Sequence, residues 1–340
     1  MFRAKSSFKG RYLSAVIISA ALLIGSPVVA KAEVVMKMAS ATINDVQHQW
    51  QKTFAEELAS RVGDAVTVEI YPASQLGTIP RMAEGVLLGT IESFISPTAF
   101  LVGTEPKLKI FDAPGLFDSP EHLARVVHDP DYRAHLEVMA LDKDLRIIGA
   151  IYNSPFVVLT KEPAPALADL KGLKIRTFAS PLQIEPMEAI GASALPLPLS
   201  EVVPALQSGN IDGMLAGMPI LTAFKFYDVA QHVTNLQFSI ILSVNVINET
   251  WFQSQSEEVR QAIIEAGRVA EEAVLQWGID NVGRANQLWI DNGGEILALS
   301  DEDRAAMNQT FKAVSDRILS EDPEVAAEYE KLLGVVEAQR

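Results

Sequence analysis

The chain has 340 residues, with 43 acidic against 28 basic side chains and no cysteine. A formal net charge of −15 argues against nucleic acid or an anionic membrane surface as a partner. The lack of cysteine excludes disulfides, thiolate metal sites and a lipid-modified cysteine tether.

The first 32 residues read as a secretory signal peptide. Arg3, Lys5, Lys9 and Arg11 form a basic start, Leu13 to Ala30 is apolar and small, and Ala30-Lys31-Ala32 is an A-x-A cleavage site. Cleavage is expected near Ala32/Glu33, with export to the periplasm. A membrane anchor is the alternative, weakened by Gly25-Ser26-Pro27 inside the apolar run. Five of the 28 basic residues and none of the 43 acidic ones fall in this leader. The remaining 308 residues therefore carry a net charge of about −20, and an anionic ligand has to be captured by a local positive group. No later segment has 18 unbroken apolar residues, the length a membrane span needs. The size allows two domains.

From Glu33 onward strands and helices alternate. "VVMKMAS" (Val34 to Ser40) alternates like an opening strand. "QHQWQKTFAEELASRVG" follows, with Trp50, Phe54 and Leu58 at helical spacing and a stop at Gly63. "AVTVEIYPAS" reads as a strand and turn, "RMAEGVLLG" as a helix ending at glycine, and "TIESFIS" as the next strand. This order indicates an α/β sheet covered on both faces.

The pattern then recurs. "VTVEIYPAS" (Val66 to Ser74) is similar to "GLKIRTFAS" (Gly172 to Ser180), and "EGVLLGTIESFI" (Glu84 to Ile95) to "PALQSGNIDGML" (Pro204 to Leu215), at offsets of 106 and 120 residues. Two lobes of similar plan with a cleft between them are expected, ligands in such sheets sitting at the carboxyl ends of strands. Arg176 falls at such a strand end, and this alignment pairs it with Ile70.

The last third is helical. The stretch from Ser256, a candidate N-cap with glutamates in the first turn, to Gly293-Gly294 carries Val259, Ile263, Val274, Trp277 and Leu288. A continuous helix of that length would run roughly 50 Å and brace both lobes; a break near Gly278 or Gly283 is the other reading. "DEDRAAMNQTFKAVSDRILS" is a further amphipathic helix.

The sequence holds no nucleophile elbow, zincin motif, Walker loop, dinucleotide fingerprint or C-x-x-C pair, so no cofactor is expected. His122, His128 and His135 are spaced by six and seven, unlike a helical metal pair, and read as a solvated helix face. Asp112 and Asp118 read as turn or surface residues rather than a catalytic pair. Arg176 differs because of its setting. A guanidinium matches a carboxylate in bidentate geometry, and Ser180-Pro181 just beyond it reads as the cap and first residue of a helix whose free N–H groups add to an anion site.

These stretches together resemble the solute-binding proteins of TRAP (tripartite ATP-independent periplasmic) transporters, the DctP family. The resemblance rests on "IYPASQLG" (Ile70 to Gly77), "EGVLLGTIE", "FDAPGLF", "DLKGLKIRT", "GASALPLPLSEVVPALQSGNIDG" and "KFYDV" (Lys225 to Val229), in that order and spacing. It implies a two-lobed periplasmic binding-protein fold, type II-like, closing like a flytrap, with a long C-terminal helix bracing both lobes. The implied lobes are 33–153 plus 242–281 and 154–241 plus 282–340. It implies a protein that binds a small organic acid, grips its carboxylate with Arg176, and delivers it to the permease subunits of an ion-driven transporter without chemical change; a monomer is expected, because a cleft that opens and closes must stay accessible.

The departures from the family pattern carry information too. Many acid-binding members have a second arginine 20 residues before the first, where this chain has Phe156; Ala216 stands where asparagine is common and Phe238 where histidine is frequent. With Phe178 beside Arg176, these suggest a pocket with one charged anchor and an apolar or aromatic remainder, suited to a monocarboxylate. Opposing contacts from the first lobe are expected from Asn44, Gln47, Gln75, Ser96 or Thr98. The alternatives are a binding module of a sensor or another importer, and an enzyme depending on Glu185 or Asp212.

Overall fold

The computed structural model describes residues 34–340; the expected leader and its cleavage site lie outside the described residues. Within them nine strands form one sheet: β1 (Val34–Ser40), β2 (Val66–Tyr71), β3 (Ser93–Pro97), β4 (Leu145–Thr160), β5 (Lys174–Thr177), β6 (Ser193–Pro196), β7 (Gly213–Ala216), β8 (His232–Asn248) and β9 (Glu295–Ala298). Their order is β2-β1-β3-β8-β4-β7-β5-β6, with β9 beside β8.

The order reads as one plan used twice. β1 lies between β2 and β3, parallel to both, and β5 lies between β6 and β7 in the same way. An antiparallel strand flanks each trio, β8 next to β3 and β4 next to β7. β4 and β8 pair along nearly their whole length, so each crosses from one half to the other. Their register shifts between Ile147 and Gly149, Tyr152 and Ser154, and Pro155 and Val157, the bends by which a long strand changes sheet direction.

The strand plan corrects one half of the internal repeat. β5 corresponds to β1, not to β2, which is an edge strand paired with β1 alone. In register, Ala39 faces Phe94 and Arg176 faces Met214, and Phe94 and Met214 are 120 positions apart. The counterpart of Arg176 is therefore Ala39 and not Ile70. A strand, a turn and Ala-Ser is a local pattern that many βα units share, which is why the 106-residue match misleads. The 120-residue match pairs true equivalents, a helix and β3 with a helix and β7.

The helix Glu257–Asp291 is unbroken over 35 residues, and Gly278 and Gly283 lie within it. Ser256 caps it, accepting from Val259 N–H at 3.4 Å. It packs on the helices Val46–Val62 and Met218–Ala223, one from each half, and on β4. Gly267 allows that approach: a β-carbon there would stand 2.1 Å from the Ile148 carbonyl oxygen.

His122, His128 and His135 are not a solvated face. His122 is 2% exposed and its Nε2 lies 3.1 Å from the Val336 carbonyl oxygen. His135 Nε2 is 2.7 Å from Glu328 Oε1, and His128 Nε2 is 3.4 Å from Glu271 Oε2. The helices Pro323–Ala338 and Glu257–Asp291 cover this region, a tertiary contact that spacing alone does not reveal.

Candidate functional site

Arg176 sits at the middle of the second trio and is 1% exposed. Its Nε donates to the Leu197 carbonyl at 2.9 Å and its Nη1 to the Leu215 carbonyl at 3.3 Å. The guanidinium carbon lies 4.9 Å from the Phe178 ring centre and 5.4 Å from that of Phe100, and these two rings stack at 4.6 Å. Among the described residues it has no ion pair, and Nη2 has no hydrogen bond. Burial lowers its pKa to about 9, so it remains cationic at neutral pH. A buried charge without a counterion costs several kcal/mol. Two neutral carbonyls and two ring faces offset part of that cost and leave one edge of the fork to meet an anion.

Arg176 lines a narrow cavity in which about 30 Å3 is open to the centre of a water molecule. Its wall repeats the plan of the sheet. Ile79 and Leu199, Ser96 and Ala216, Pro97 and Gly217, and Phe100 and Ile220 all line it, and each pair is 120 positions apart. Ala41 and Phe178, each two residues beyond the paired Ala39 and Arg176, line it as well. Thr42, Gln47 and Asn153 complete its polar surface. Asn153 Nδ2 donates to Ser243 Oγ at 3.0 Å across the strand crossing. Ser96 is 2% exposed and its hydroxyl has no partner among the described residues.

Of the residues expected at the site, Arg176, Phe178, Ala216, Ser96 and Gln47 line the cavity together. Phe156 and Phe238 do not. They stand behind Phe178 in an aromatic column: Phe156 is 5.5 Å from Phe178, stacks on Phe238 at 5.0 Å, and Phe238 meets Phe311 edge-on at 4.9 Å. Thr98 is buried but turned toward β8, donating to the Leu242 carbonyl at 3.5 Å. Asn44 and Gln75 are exposed. Asn44 forms a turn at φ 58°, its N–H donating to His48 Nδ1 at 3.2 Å. Sequence reasoning missed Thr42, Phe100 and Asn153, and the apolar wall positions Ile79, Leu199 and Ile220. The 120-residue offset extended beyond its matched segment would have found the last three and Phe100.

The helix Pro181–Ala189 does not add its N-terminus to this site. Ser180 makes no side-chain cap, and neither it nor Pro181 lines the cavity. The start of the helix instead faces Asp112, 4% exposed, whose Oδ1 accepts from Gln183 Nε2 at 3.3 Å. Asp112 is thus a buried residue and not the surface turn residue its sequence context suggested. Burial pushes its carboxyl up to about 7. Glu185 and Asp212 are engaged elsewhere: Glu185 pairs with Arg317 on the surface, and Asp212 accepts the Lys174 N–H at 2.9 Å. Neither lines the cavity.

Residues 38–322 match the family described as bacterial extracellular solute-binding protein, family 7 (DctP). The chain is 28% identical over 293 residues to the 2,3-diketo-L-gulonate-binding periplasmic protein of Escherichia coli, covering 83% of this chain and 86% of that one. Among solved structures it is similar to a TRAP periplasmic solute-binding protein of Desulfovibrio salexigens with bound orotic acid, at a TM-score of 0.82, 26% identity, and coverage of 89% of this chain and 99% of that one. The fold is likewise that of a succinate-bound TRAP protein of Shewanella oneidensis, at a TM-score of 0.82 and 22% identity over 91% of this chain and 99% of that one. Members of this family bind solutes for transport and are not enzymes. The chain belongs to the bacterial extracellular solute-binding proteins of family 7, the DctP-type solute-binding proteins of TRAP transporters.

Proposed function

We propose that the protein captures a small monocarboxylate with an apolar or aromatic body and delivers it to the membrane permease subunits of a TRAP transporter. It does so as a monomer in the periplasm, after removal of its leader near Ala32/Glu33. The observation that carries this reading is Arg176: a fully buried cation, framed by two aromatic rings, with no carboxylate partner among the described residues. An entering carboxylate supplies the missing charge and two acceptors for the fork. The remaining wall, with Phe178, Phe100, Leu199, Ile220 and Ala216, suits an uncharged body. A second carboxylate would meet no second cation there, and an unpaired buried charge is costly. The acids in the names of two relatives, diketogulonate and orotic acid, agree with an acid as ligand.

The lobes proposed are 33–153 plus 242–281 and 154–241 plus 282–340. The bulges of β4 at Tyr152/Ser154 and Pro155/Val157 support a boundary there. Arg176 belongs to one lobe and Gln47 and Ser96 to the other, so a ligand touching both favours the closed arrangement by its differential affinity. Calorimetric titration with a panel of monocarboxylates and with succinate tests the reading. Binding of monocarboxylates that is lost in Arg176→Ala supports it; binding of succinate alone sinks it.

A further inference from the structure

Gln47 is 2% exposed in the first half of the wall, and its amide is held in one orientation. Its Nε2 donates to Thr42 Oγ1 at 3.3 Å and to Asp45 Oδ2 at 3.2 Å. Asp45 is itself fixed, because its Oδ1 accepts the His48 N–H at 3.1 Å and caps the helix Val46–Val62. A flipped amide would set its oxygen against the Asp45 carboxyl oxygen. Both amide protons are therefore spent on the protein, and Oε1 is left as an acceptor with no donor among the described residues. Ser96 Oγ, on the same wall, has neither a donor nor an acceptor partner among the described residues.

We propose that Gln47 selects a hydroxy acid: the ligand held by Arg176 carries a hydroxyl near its carboxylate that donates to Gln47 Oε1 and accepts from Ser96. This rests on Arg176 holding a carboxylate, and the cavity is narrow enough that a second group on a small acid lies near the first. A hydroxyl fits because it both donates and accepts. A keto oxygen only accepts and would face Oε1, another acceptor. A bare methylene would leave a buried carbonyl unpaired, the type of mismatch by which a polar site rejects an analogue lacking the group. An ammonium donates but adds a second cation beside Arg176.

The test is calorimetric titration of the full chain with matched triads: lactate, pyruvate and propionate; mandelate, benzoylformate and phenylacetate; 2-hydroxyisocaproate, its 2-oxo acid and 4-methylvalerate, each hydroxy acid as separate enantiomers. The expected result is at least tenfold tighter binding of one hydroxy enantiomer than of its keto and deoxy partners in at least one triad. Gln47→Leu should bring that hydroxy acid to the level of its deoxy partner, while the deoxy acid changes less than threefold. Ser96→Ala, which removes a single oxygen at the wall, should weaken only the hydroxy acid. Equal binding across every triad, still abolished by Arg176→Ala, overturns the hydroxyl proposal and leaves the carboxylate reading standing. No binding by any member overturns both.

Discussion

The two halves of the cavity wall share a backbone plan and differ in what they carry. The first half presents Thr42, Gln47 and Ser96 beside Ile79 and Phe100; the second presents Arg176 beside Phe178, Ala216, Leu199 and Ile220. Where the second half has Arg176, the first has Ala39; where the first has Ser96, the second has Ala216. A duplicated scaffold therefore offers the proposed charged clamp from one side and hydrogen-bonding groups from the other. On the proposed reading, removing water from a charged ligand is compensated only when both sides meet it, which gives the proposed lobes a reason to close.

The largest expected effect comes from removing the clamp. Arg176→Ala should weaken binding of an acid ligand by about 2–5 kcal/mol, the usual cost of truncating one partner of a buried charge pair. The ligand-free protein should remain folded, because the relief of a buried unpaired cation offsets part of the cost of the lost volume and the two carbonyls left without a donor. Titration calorimetry and a thermal melt on the same sample check both halves of this expectation. Undiminished binding would make the two walls equivalent and remove the asymmetry.

The starts of two equivalent helices sharpen the same contrast. In the first half Asp45 caps its own helix. In the second, Ser180 makes no side-chain cap, and Asp112 from a distant segment faces the helix start instead. Asp112 Oδ1 accepts from Gln183 Nε2, and burial outweighs the hydrogen bonding from Gln183 and Ser180, pushing this carboxyl up to about 7. A carboxyl raised in the folded state contributes stability that is full below its unfolded value of about 4 and is lost as pH rises to about 7. Over that window the loss amounts to at most about 4 kcal/mol, since each pH unit between the two values is worth about 1.4 kcal/mol. Asp112→Asn keeps the neutral side chain at every pH. Its melting temperature should vary less than that of the native chain between about pH 4 and 8, and should exceed it at the alkaline end. Parallel pH profiles would show that Asp112 does not titrate in this window.

The brace between the halves predicts a smaller loss. In Gly267→Ala the added carbon meets the Ile148 backbone oxygen at 2.1 Å, and a backbone carbonyl cannot step aside as the end of a side chain can. Overpacking of this kind costs about 1–3 kcal/mol, against which the better helix propensity of alanine returns up to about 1 kcal/mol. Thermal denaturation should show a drop of a few degrees.

The alternation of elements, the cap of the long helix and the strand-end position of Arg176 were legible in the chain. Each rests on a local signal: periodicity, a cap, or a charge at a strand end within a family segment. The roles of Ile79, Leu199 and Ile220 were not legible, because apolar residues at the ends of elements look the same whether they face a cavity or the core. The burial of Asp112 and His122 was hidden for another reason. Their partners, Gln183 and Val336, lie 71 and 214 positions away. The pairing of β5 with β2 failed because a common turn pattern outweighed strand order, which only the sheet supplies.

The smallest effect separates the wall from what stands behind it. Phe156 occupies the position where many acid-binding relatives are expected to place a second arginine, yet it is 1% exposed, stacked on Phe238 and tilted against Phe178, outside the cavity. Phe156→Leu should therefore act on stability, costing about 1 kcal/mol from lost volume and ring contact, while ligand affinity shifts less than threefold. Gln75→Ala, exposed on an outer turn, should change neither. An affinity loss in Phe156→Leu as large as that in Arg176→Ala would show that the aromatic column sets the position of the guanidinium. The second half would then bind through a stack of rings as much as through one charge.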